Sequence, residues 1–278
     1  MISIMAVPSP DLDSLFVRYL LGRRQVAEST ARDYMRGLAR FEKETGAGRA
    51  TISALSLEEF LALPLGWAAK NQTLVAARLY HAWGARRGYW ALDPEVSEIR
   101  LKRQNGRETR PLTFEDALAI LGAVRTPEEK RVVMPGFYAG LRAFEILDIR
   151  RTWWVVGVDR TEELRILGKG SIYRRIPVHP KLSAVREDVL AGVMTKRQMR
   201  SVVESLRERS GVSFTVRALR RTFSERLSRA GVERAVIGHL LGHSTSSVTE
   251  RHYAPVRWEE ALAAIRVLDY GTGQMRFF

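Results

Sequence analysis

The stretch from Thr215 to Val256 limits what this chain can fold into more than any other part of the sequence. It combines a helical repeat of apolar residues with arginine, histidine and tyrosine residues in one short run. The apolar residues that recur every four positions are Leu219, Phe223 and Leu227. This spacing predicts a helix with one buried face, and Thr215 is placed to cap its start.

Three arginines fall on the first turns of this predicted helix: Arg217, Arg220 and Arg221. Cations at the start of a helix oppose the positive end of its dipole, so they cost stability unless an anion lies nearby. The guanidinium fork suits two-point contact with a phosphate. The pattern therefore indicates a phosphate-binding site.

The rest of the stretch predicts two more short helices and a loop. Gly231 is placed to end the first helix, and Val232 to Leu241 predicts the second. Gly242 would stop that helix and leave His243 at the edge of a Ser/Thr loop. Tyr253 then lies on a third short helix.

The charge balance favours a polyanionic partner. The 278 residues include 45 Lys and Arg against 31 Asp and Glu, which gives a formal net charge of +14. The sequence pI is about 10.5. An imbalance of this size is better explained by binding to nucleic acid than by solubility alone.

Composition also excludes several classes of protein. The chain has no cysteine, which excludes disulfides, zinc fingers and thiol nucleophiles. The sequence shows neither a membrane-spanning apolar run nor a signal peptide, so we expect a cytoplasmic protein with no membrane association. We expect no cofactor and no metal.

The chain has room for two domains. The run LKRQNGRETR at positions 101–110 breaks all periodicity with charge, Asn and Gly. We therefore predict a helical N-terminal domain over 1–104, a basic linker over 105–112 and a second domain over 113–278. In the first domain we place a helix cap at Asp11, a helix start at Ser29, a capping box of Ser56 with Glu59, and a helix over about 71–87.

The second domain is predicted to be mainly helical with a small antiparallel sheet. Thr113 and Thr126 are placed to cap its first two helices. Three β-rich runs follow, at Trp153–Val158, Glu163–Leu167 and Arg174–Val178. Between the last two runs, Lys169 lies between two glycines and would occupy the tip of a hairpin.

These segments carry a family resemblance. The order LRRTF, LLGHS and TERHY resembles the C-terminal signature of the tyrosine recombinases, the phage-integrase and Xer family, including archaeal-type integrases. GLRAFEI at 140–146 and GKGSIYRRIP at 168–177 are similar to two further motifs of that family. The resemblance covers most of the chain, but its motifs are specific only from about position 138 onward.

The resemblance implies a metal-free cleavage of DNA. In the family, the residue matching Tyr253 attacks the scissile phosphate and forms a 3′-phosphotyrosine link. Those matching Arg142 and Arg220 hold the non-bridging oxygens. Lys169 matches the general acid for the leaving 5′ oxygen, and His243 would bind the phosphate or position the tyrosine.

The resemblance also implies the architecture and the partners. The first domain would be a core-binding domain and the second the catalytic domain, in which Glu145 helps to hold the site. The partner would be double-stranded DNA, bound by a homotetramer on paired sites, with a monomer or dimer off DNA. The helix expected near Trp258 to Leu268 would pack on its own domain or dock on the next subunit.

The chain departs from the family pattern at two points. Arg217 stands where the family usually has histidine, and arginine can stabilise phosphate charge but cannot accept a proton. The general base would then be water or His243. Tyr253 lies one residue later after His243 than is common, so the tyrosine could serve its own subunit or a neighbour.

Two other functions fit the same residues. One is a non-catalytic DNA-binding protein with a degenerate recombinase fold, and the other is an enzyme similar to type IB topoisomerases. Within the recombinase interpretation, the sequence does not separate a chromosome-dimer resolvase from a viral or plasmid integrase.

Overall fold

The chain divides into two compact units, Met1–Gly106 and Arg107–Phe278. The computed structural model describes residues 11–102, 110–157, 161–168, 173–242 and 256–271. The division between the units falls inside the predicted linker. In the described residues, no helix is both long enough and apolar enough to cross a membrane.

The first unit is helical. Its α-helices are α1 (Leu12–Arg18), α2 (Glu28–Thr45), α3 (Ala54–Ala62) and α4 (Trp67–Ala85). Asp11 caps α1 as predicted, because its side chain accepts hydrogen bonds from the backbone of Asp13 and Ser14. The core lies between α2 and α4 and is rich in aromatic rings: Phe16, Phe41, Phe60, Tyr80 and Trp83.

The predicted start of α3 is wrong by one helical turn. The cap is Ser53, whose hydroxyl accepts from the backbone N–H of Ser56 at 3.3 Å, while Ser56 Oγ accepts from Ser53 N at 2.9 Å. Ser56 is 8% exposed. Its hydroxyl therefore completes the box from inside the helix, and Glu59 is not needed.

The predicted starts of α2 and α4 are also late. Helix α2 begins at Glu28, after Ala27, and α4 begins at Trp67, after Gly66. Neither preceding residue supplies a side-chain cap, although both have the extended backbone of a cap. Neither start therefore carries the polar cap by which a helix start is recognised in sequence.

The second unit combines helices with a three-stranded sheet in its described residues. Its elements are α5 (Phe114–Ala123), α6 (Pro127–Tyr138), α7 (Ala143–Leu147), β1 (Trp154–Val156), β2 (Glu162–Leu167), β3 (Tyr173–Pro177), α8 (Pro180–Ser183), α9 (Arg186–Leu190), α10 (Lys196–Ser210), α11 (Val216–Arg229), α12 (Arg234–Leu241) and α13 (Trp258–Arg266). The strands pair antiparallel in the order β1-β2-β3, which confirms the predicted fold class.

The caps predicted in this unit are confirmed. Thr113 and Thr126 each form a capping box, with Asp116 and Glu129 respectively. Thr215 caps α11 through a bond from the backbone of Ala218 at 3.2 Å. The apolar face of α11 is buried, as the four-residue repeat predicted: Leu219, Phe223 and Leu227 are each 0% exposed.

Helix α12 begins two residues later than Val232, the predicted start. Gly231 has a positive φ of 79°, and the Val232 amide donates back to Leu227 O at 3.0 Å. Both residues therefore close the end of α11, a role that glycine in the left-handed region commonly has.

The C-terminal helix α13 packs on its own unit, against α12 and β3. Residues after it are anchored too. Tyr270 Oη donates to Phe137 O at 2.8 Å, and a ring nitrogen of His179 lies 3.0 Å from Leu268 O. Within this single chain, α13 therefore packs on its own domain, and docking on a neighbouring subunit stays a prediction.

The close approach of Trp90 to α4 generates a stability prediction. A Cβ on Gly84 would lie 1.8 Å from Trp90 Cζ2, and Trp90 Nε1 donates to His81 O at 2.9 Å. We expect Gly84→Ala to displace the indole and to lower the free energy of unfolding of the first unit by about 1–3 kcal/mol. Denaturant unfolding of the full chain, followed by circular dichroism, measures this.

Gly22→Ala is the control, since nothing lies within 4 Å of a Cβ there. It should change the free energy by less than about 1 kcal/mol. Equal midpoints for the two variants would show that Trp90 does not pack on Gly84.

Candidate active site

The site begins at the end of α6, where the chain turns sharply towards α7. Gly140 has φ 59°, and a Cβ there would lie 2.6 Å from Phe223 Cδ1. Only glycine suits both the left-handed backbone and the close approach. The turn places Arg142 at the N-cap of α7.

The buried carboxylate of Glu145 organises three arginines of this unit. Glu145 is 0% exposed, and its two oxygens accept from Arg174 Nη1 and Nη2 at 2.7 and 2.8 Å. Arg142 Nη1 donates to Glu145 Oε1 at 3.1 Å. Arg220 Nη1 lies 4.0 Å from Glu145 Oε2. Three guanidinium groups from α7, β3 and α11 therefore surround one carboxylate.

The same arginines also hold the end of α12. Its last carbonyls accept one guanidinium each: Leu240 O from Arg174 Nε at 3.1 Å, Leu241 O from Arg220 Nη2 at 2.7 Å, and Gly242 O from Arg142 Nη2 at 3.2 Å. Carbonyls at a helix C-terminus lack helical partners and carry partial negative charge. They orient the three cations without neutralising them.

The electrostatics of the cluster favour an added anion. Burial alone would raise the pKa of Glu145, but the bonds and charges of Arg174 and Arg142 outweigh burial and lower it. Burial, with the charges of Arg142 and Arg174, lowers the pKa of Arg220 to about 9. Arg220 is thus cationic at neutral pH. Three guanidinium groups around one carboxylate leave a net excess of two positive charges.

Arg142 and Arg220 remain accessible to a ligand. Their side chains are 28% and 12% exposed, whereas that of Arg174 is 3% exposed. Each guanidinium has five donors and uses only some of them on protein acceptors. The remaining donors can bind the non-bridging oxygens of a phosphate.

The other predicted site residues differ in what the structure says about them. Arg217 is exposed on the first turn of α11, and its side chain makes no hydrogen bond with any described part of the chain. Lys169, His243 and Tyr253 lie outside the described residues. The structure thus brings Arg142 and Arg220 together, with Arg217 one turn before Arg220.

Sequence reasoning missed Arg174, which was taken as an ordinary strand residue. On β3 it shares the inward face with Ile176 and pairs with Ile166, and both isoleucines are 0% exposed. A buried arginine requires a carboxylate or several carbonyls as partners. An arginine at the inward parity of an apolar strand is the signal that could have identified it.

The arrangement can stabilise negative charge on a phosphorus centre. Guanidinium groups fixed before the reaction bind charge that develops in a transition state at little cost in reorganisation. Among the described residues, no group of three or more His, Asp or Glu side chains is placed to hold a metal ion.

The chain matches a known family model and resembles several known proteins. The model of the "Phage integrase family" matches residues 110–260. The tyrosine recombinase XerC of Rhodospirillum centenum is 28% identical, over 84% of this chain and 80% of its own length. That of Mycobacterium tuberculosis is 27% identical, over 78% of this chain and 83% of its own.

Solved structures of low sequence identity share the fold. The XerH recombinase bound to a palindromic difH substrate, in a post-cleavage complex, has a TM-score of 0.61 at 16% identity and covers 84% of this chain and 78% of its own. A lambda integrase tetramer bound to a Holliday junction has a TM-score of 0.62 at 16% identity, over 88% and 78% respectively.

The buried carboxylate generates a second prediction. Glu145→Gln removes the negative charge that lies among three arginines, so we expect a loss of about 3–5 kcal/mol in the free energy of unfolding at neutral pH. Because the folded-state pKa lies below the ordinary 4.5, this difference should be complete above about pH 4.5 and shrink as the pH falls through the lowered value. Unfolding at several pH values measures it.

Asp148→Asn is the matched control, because Asp148 pairs with Arg150 on the surface, where the two side chains are 52% and 64% exposed. It should cost less than about 1 kcal/mol. A Glu145→Gln variant as stable as this control would contradict the clustered arrangement.

Helix α12 generates a third prediction from the glycine within it, Gly238, and the glycine that ends it, Gly242. Gly242 has φ 62°, and a Cβ there would lie 2.8 Å from Arg174 Cδ. Gly238 has open space around a Cβ. We expect Gly242→Ala to lower the thermal midpoint of unfolding, because alanine is strained at this positive φ. Gly238→Ala should leave the midpoint unchanged or raise it, because alanine is more favourable than glycine inside a helix by about 0.5–1 kcal/mol. A midpoint for Gly242→Ala equal to that of Gly238→Ala would be inconsistent with the close contact to Arg174.

Proposed function

The chain belongs to the phage integrase family, and on that premise we propose that it is a site-specific recombinase that cleaves and rejoins double-stranded DNA through a 3′-phosphotyrosine intermediate. The observation that supports this chemistry most directly is the cluster of three guanidinium groups around buried Glu145. Its excess positive charge is accessible at Arg142 and Arg220. Such charge stabilises the negative charge that develops on a phosphodiester in the transition state of cleavage.

In the proposed reaction, the Tyr253 oxygen forms a bond to phosphorus while the bond from phosphorus to the 5′ oxygen breaks. Arg142 and Arg220 bind the non-bridging oxygens. Lys169 donates a proton to the departing 5′ oxygen, which leaves as a hydroxyl. Because the phosphotyrosine conserves the phosphoester bond, a 5′-hydroxyl of a partner strand can reverse the step without ATP.

The proton on Tyr253 must pass to a base. Arg217 cannot accept it, because arginine remains protonated in proteins. We assign that role to water or to His243. Arg217, exposed one turn before Arg220, supplies a further cation for the DNA backbone.

The proposed partner is double-stranded DNA. The N-terminal domain at 1–104 would clamp the duplex, the linker at 105–112 would cross its backbone, and the domain at 113–278 would cleave it. The lambda integrase structure is described as a tetramer on a Holliday junction. We propose a homotetramer on paired sites for this chain as well, and a cytoplasmic location, where it meets its DNA substrate.

A nicked suicide duplex tests the function. Its sequence comes from the host replicon segment to which the wild-type protein becomes covalently attached. We expect a protein–DNA adduct that resists denaturation, no adduct from Tyr253→Phe, and a rate lowered about 100- to 1,000-fold in Arg220→Ala. Arg229→Ala is the control on the same helix, since Arg229 is exposed and its partner among the described residues is Glu225. It should cleave at the wild-type rate.

Other outcomes identify the alternatives. Specific DNA binding without any adduct would mean a non-catalytic binding protein. Relaxation of an arbitrary supercoiled plasmid without recombination would mean an enzyme similar to type IB topoisomerases. A mixture of Tyr253→Phe with Arg142→Ala that restores cleavage would show that the tyrosine serves a neighbouring subunit.

A further inference from the structure

Strand β3 carries two adjacent arginines that point to opposite faces of the sheet. Arg174 faces inward and binds Glu145. Arg175 faces outward, and its guanidinium carbon lies 4.5 Å from the centre of the Trp258 ring. One strand therefore contacts the carboxylate of the site on one side and the start of α13 on the other.

A hydrogen bond to Glu163 also holds the Arg175 guanidinium in place. Its Nε donates to Glu163 Oε2 at 2.7 Å, and the Glu163 side chain is only 7% exposed. Burial would raise the pKa of Glu163, but the bonds and charges of Arg175 and Arg165 outweigh it and lower that pKa. The carboxylate is therefore ionised at neutral pH and holds the guanidinium over the ring.

Trp258 occupies a significant point along the chain. It is the first residue of α13 and follows Tyr253 by five positions. Five residues of extended chain span at most roughly 17 Å. Wherever the Tyr253 backbone lies, its distance from the start of α13 is bounded by that length, so a shift of α13 alters the positions that the tyrosine can reach.

We propose that Arg175 and Trp258 are a pair of positioning residues, which fixes the start of α13 on β3 and so ties the tyrosine segment to the strand that holds Glu145. In this proposal the pair acts on the position of the chain and has no role in contacting the phosphate. The inference rests on the proposed function, because it assigns Tyr253 as the nucleophile.

The chain offers a matched control in Arg165. It is the cross-strand partner of Arg175, its Nε donates to the same carboxylate at 2.6 Å, and the two side chains are 54% and 56% exposed. Only Arg175 stacks on Trp258. Replacing each arginine by alanine therefore separates the stacking contact from the shared bond to Glu163.

The test compares Arg175→Ala, Trp258→Ala, the double variant and Arg165→Ala on the suicide duplex, with binding affinity and cleavage rate measured separately. We expect Arg175→Ala and Trp258→Ala each to cleave about 3- to 10-fold more slowly, with affinity for the duplex unchanged. The double variant should be no slower than the slower single variant. Arg165→Ala should cleave at the wild-type rate, and Trp258→Phe should recover part of the loss.

A second substrate distinguishes a displaced nucleophile from a loss of proton donation to the leaving group. A sulfur at the bridging 5′ position needs no proton to depart, so it should restore cleavage by Lys169→Ala. It should not restore cleavage by Arg175→Ala if that variant displaces the nucleophile. Full restoration of Arg175→Ala would mean that the hairpin with Lys169 had moved instead, and would overturn the inference.

The possible failures are distinguishable. If the wild-type protein forms no adduct on any DNA, the proposed function fails and the positioning role fails with it. If the wild type cleaves but Arg175→Ala and Arg165→Ala are slowed equally, the effect comes from the bond to Glu163, and only the positioning role is wrong. Thermal unfolding of both alanine variants checks that a slower rate is not a loss of folded protein.

Discussion

The Glu145 carboxylate is the constraint on which the rest of the catalytic unit depends. A carboxylate with no exposure to water cannot stay ionised without cations and hydrogen bonds. Arg174 satisfies it from the sheet, Arg142 from the start of its own helix, and Arg220 stands close by on α11. One carboxylate among three guanidinium groups leaves a site that favours an anion, and the proposed chemistry would use that excess of positive charge.

The end of α12 gives the cluster its second fixed point. Leu240, Leu241 and Gly242 each offer a carbonyl to a different arginine. Gly242 adopts a left-handed backbone so close to Arg174 that a Cβ at this position would clash with the arginine side chain. Because the next residue in sequence is His243, the device that orients the arginines also sets the point from which the chain continues to Tyr253.

Local patterns predicted a large part of this structure. The caps at Thr113, Thr126 and Thr215 and the buried face of α11 follow from short-range hydrogen bonding and helical spacing, which depend on few residues. The starts of α2 and α4 were placed too late because their preceding residues, Ala27 and Gly66, supply no polar side chain. The predicted start of α3 was wrong because two pairs of residues have the three-residue spacing of a capping box. Ser56 with Glu59 was predicted, whereas the structure uses Ser53 with Ser56.

The sequence by itself determined the family, the helical class with its small sheet and the positive charge, and it proposed Arg142 and Arg220 as site residues. Motif order, composition and periodicity can all be read along the chain. Only the tertiary structure decided that Arg174 completes the site and that Arg175 lies against Trp258. Those contacts join residues 29 and 83 positions apart. The direction of a strand side chain and the partner it meets depend on how the sheet packs, which no local pattern specifies.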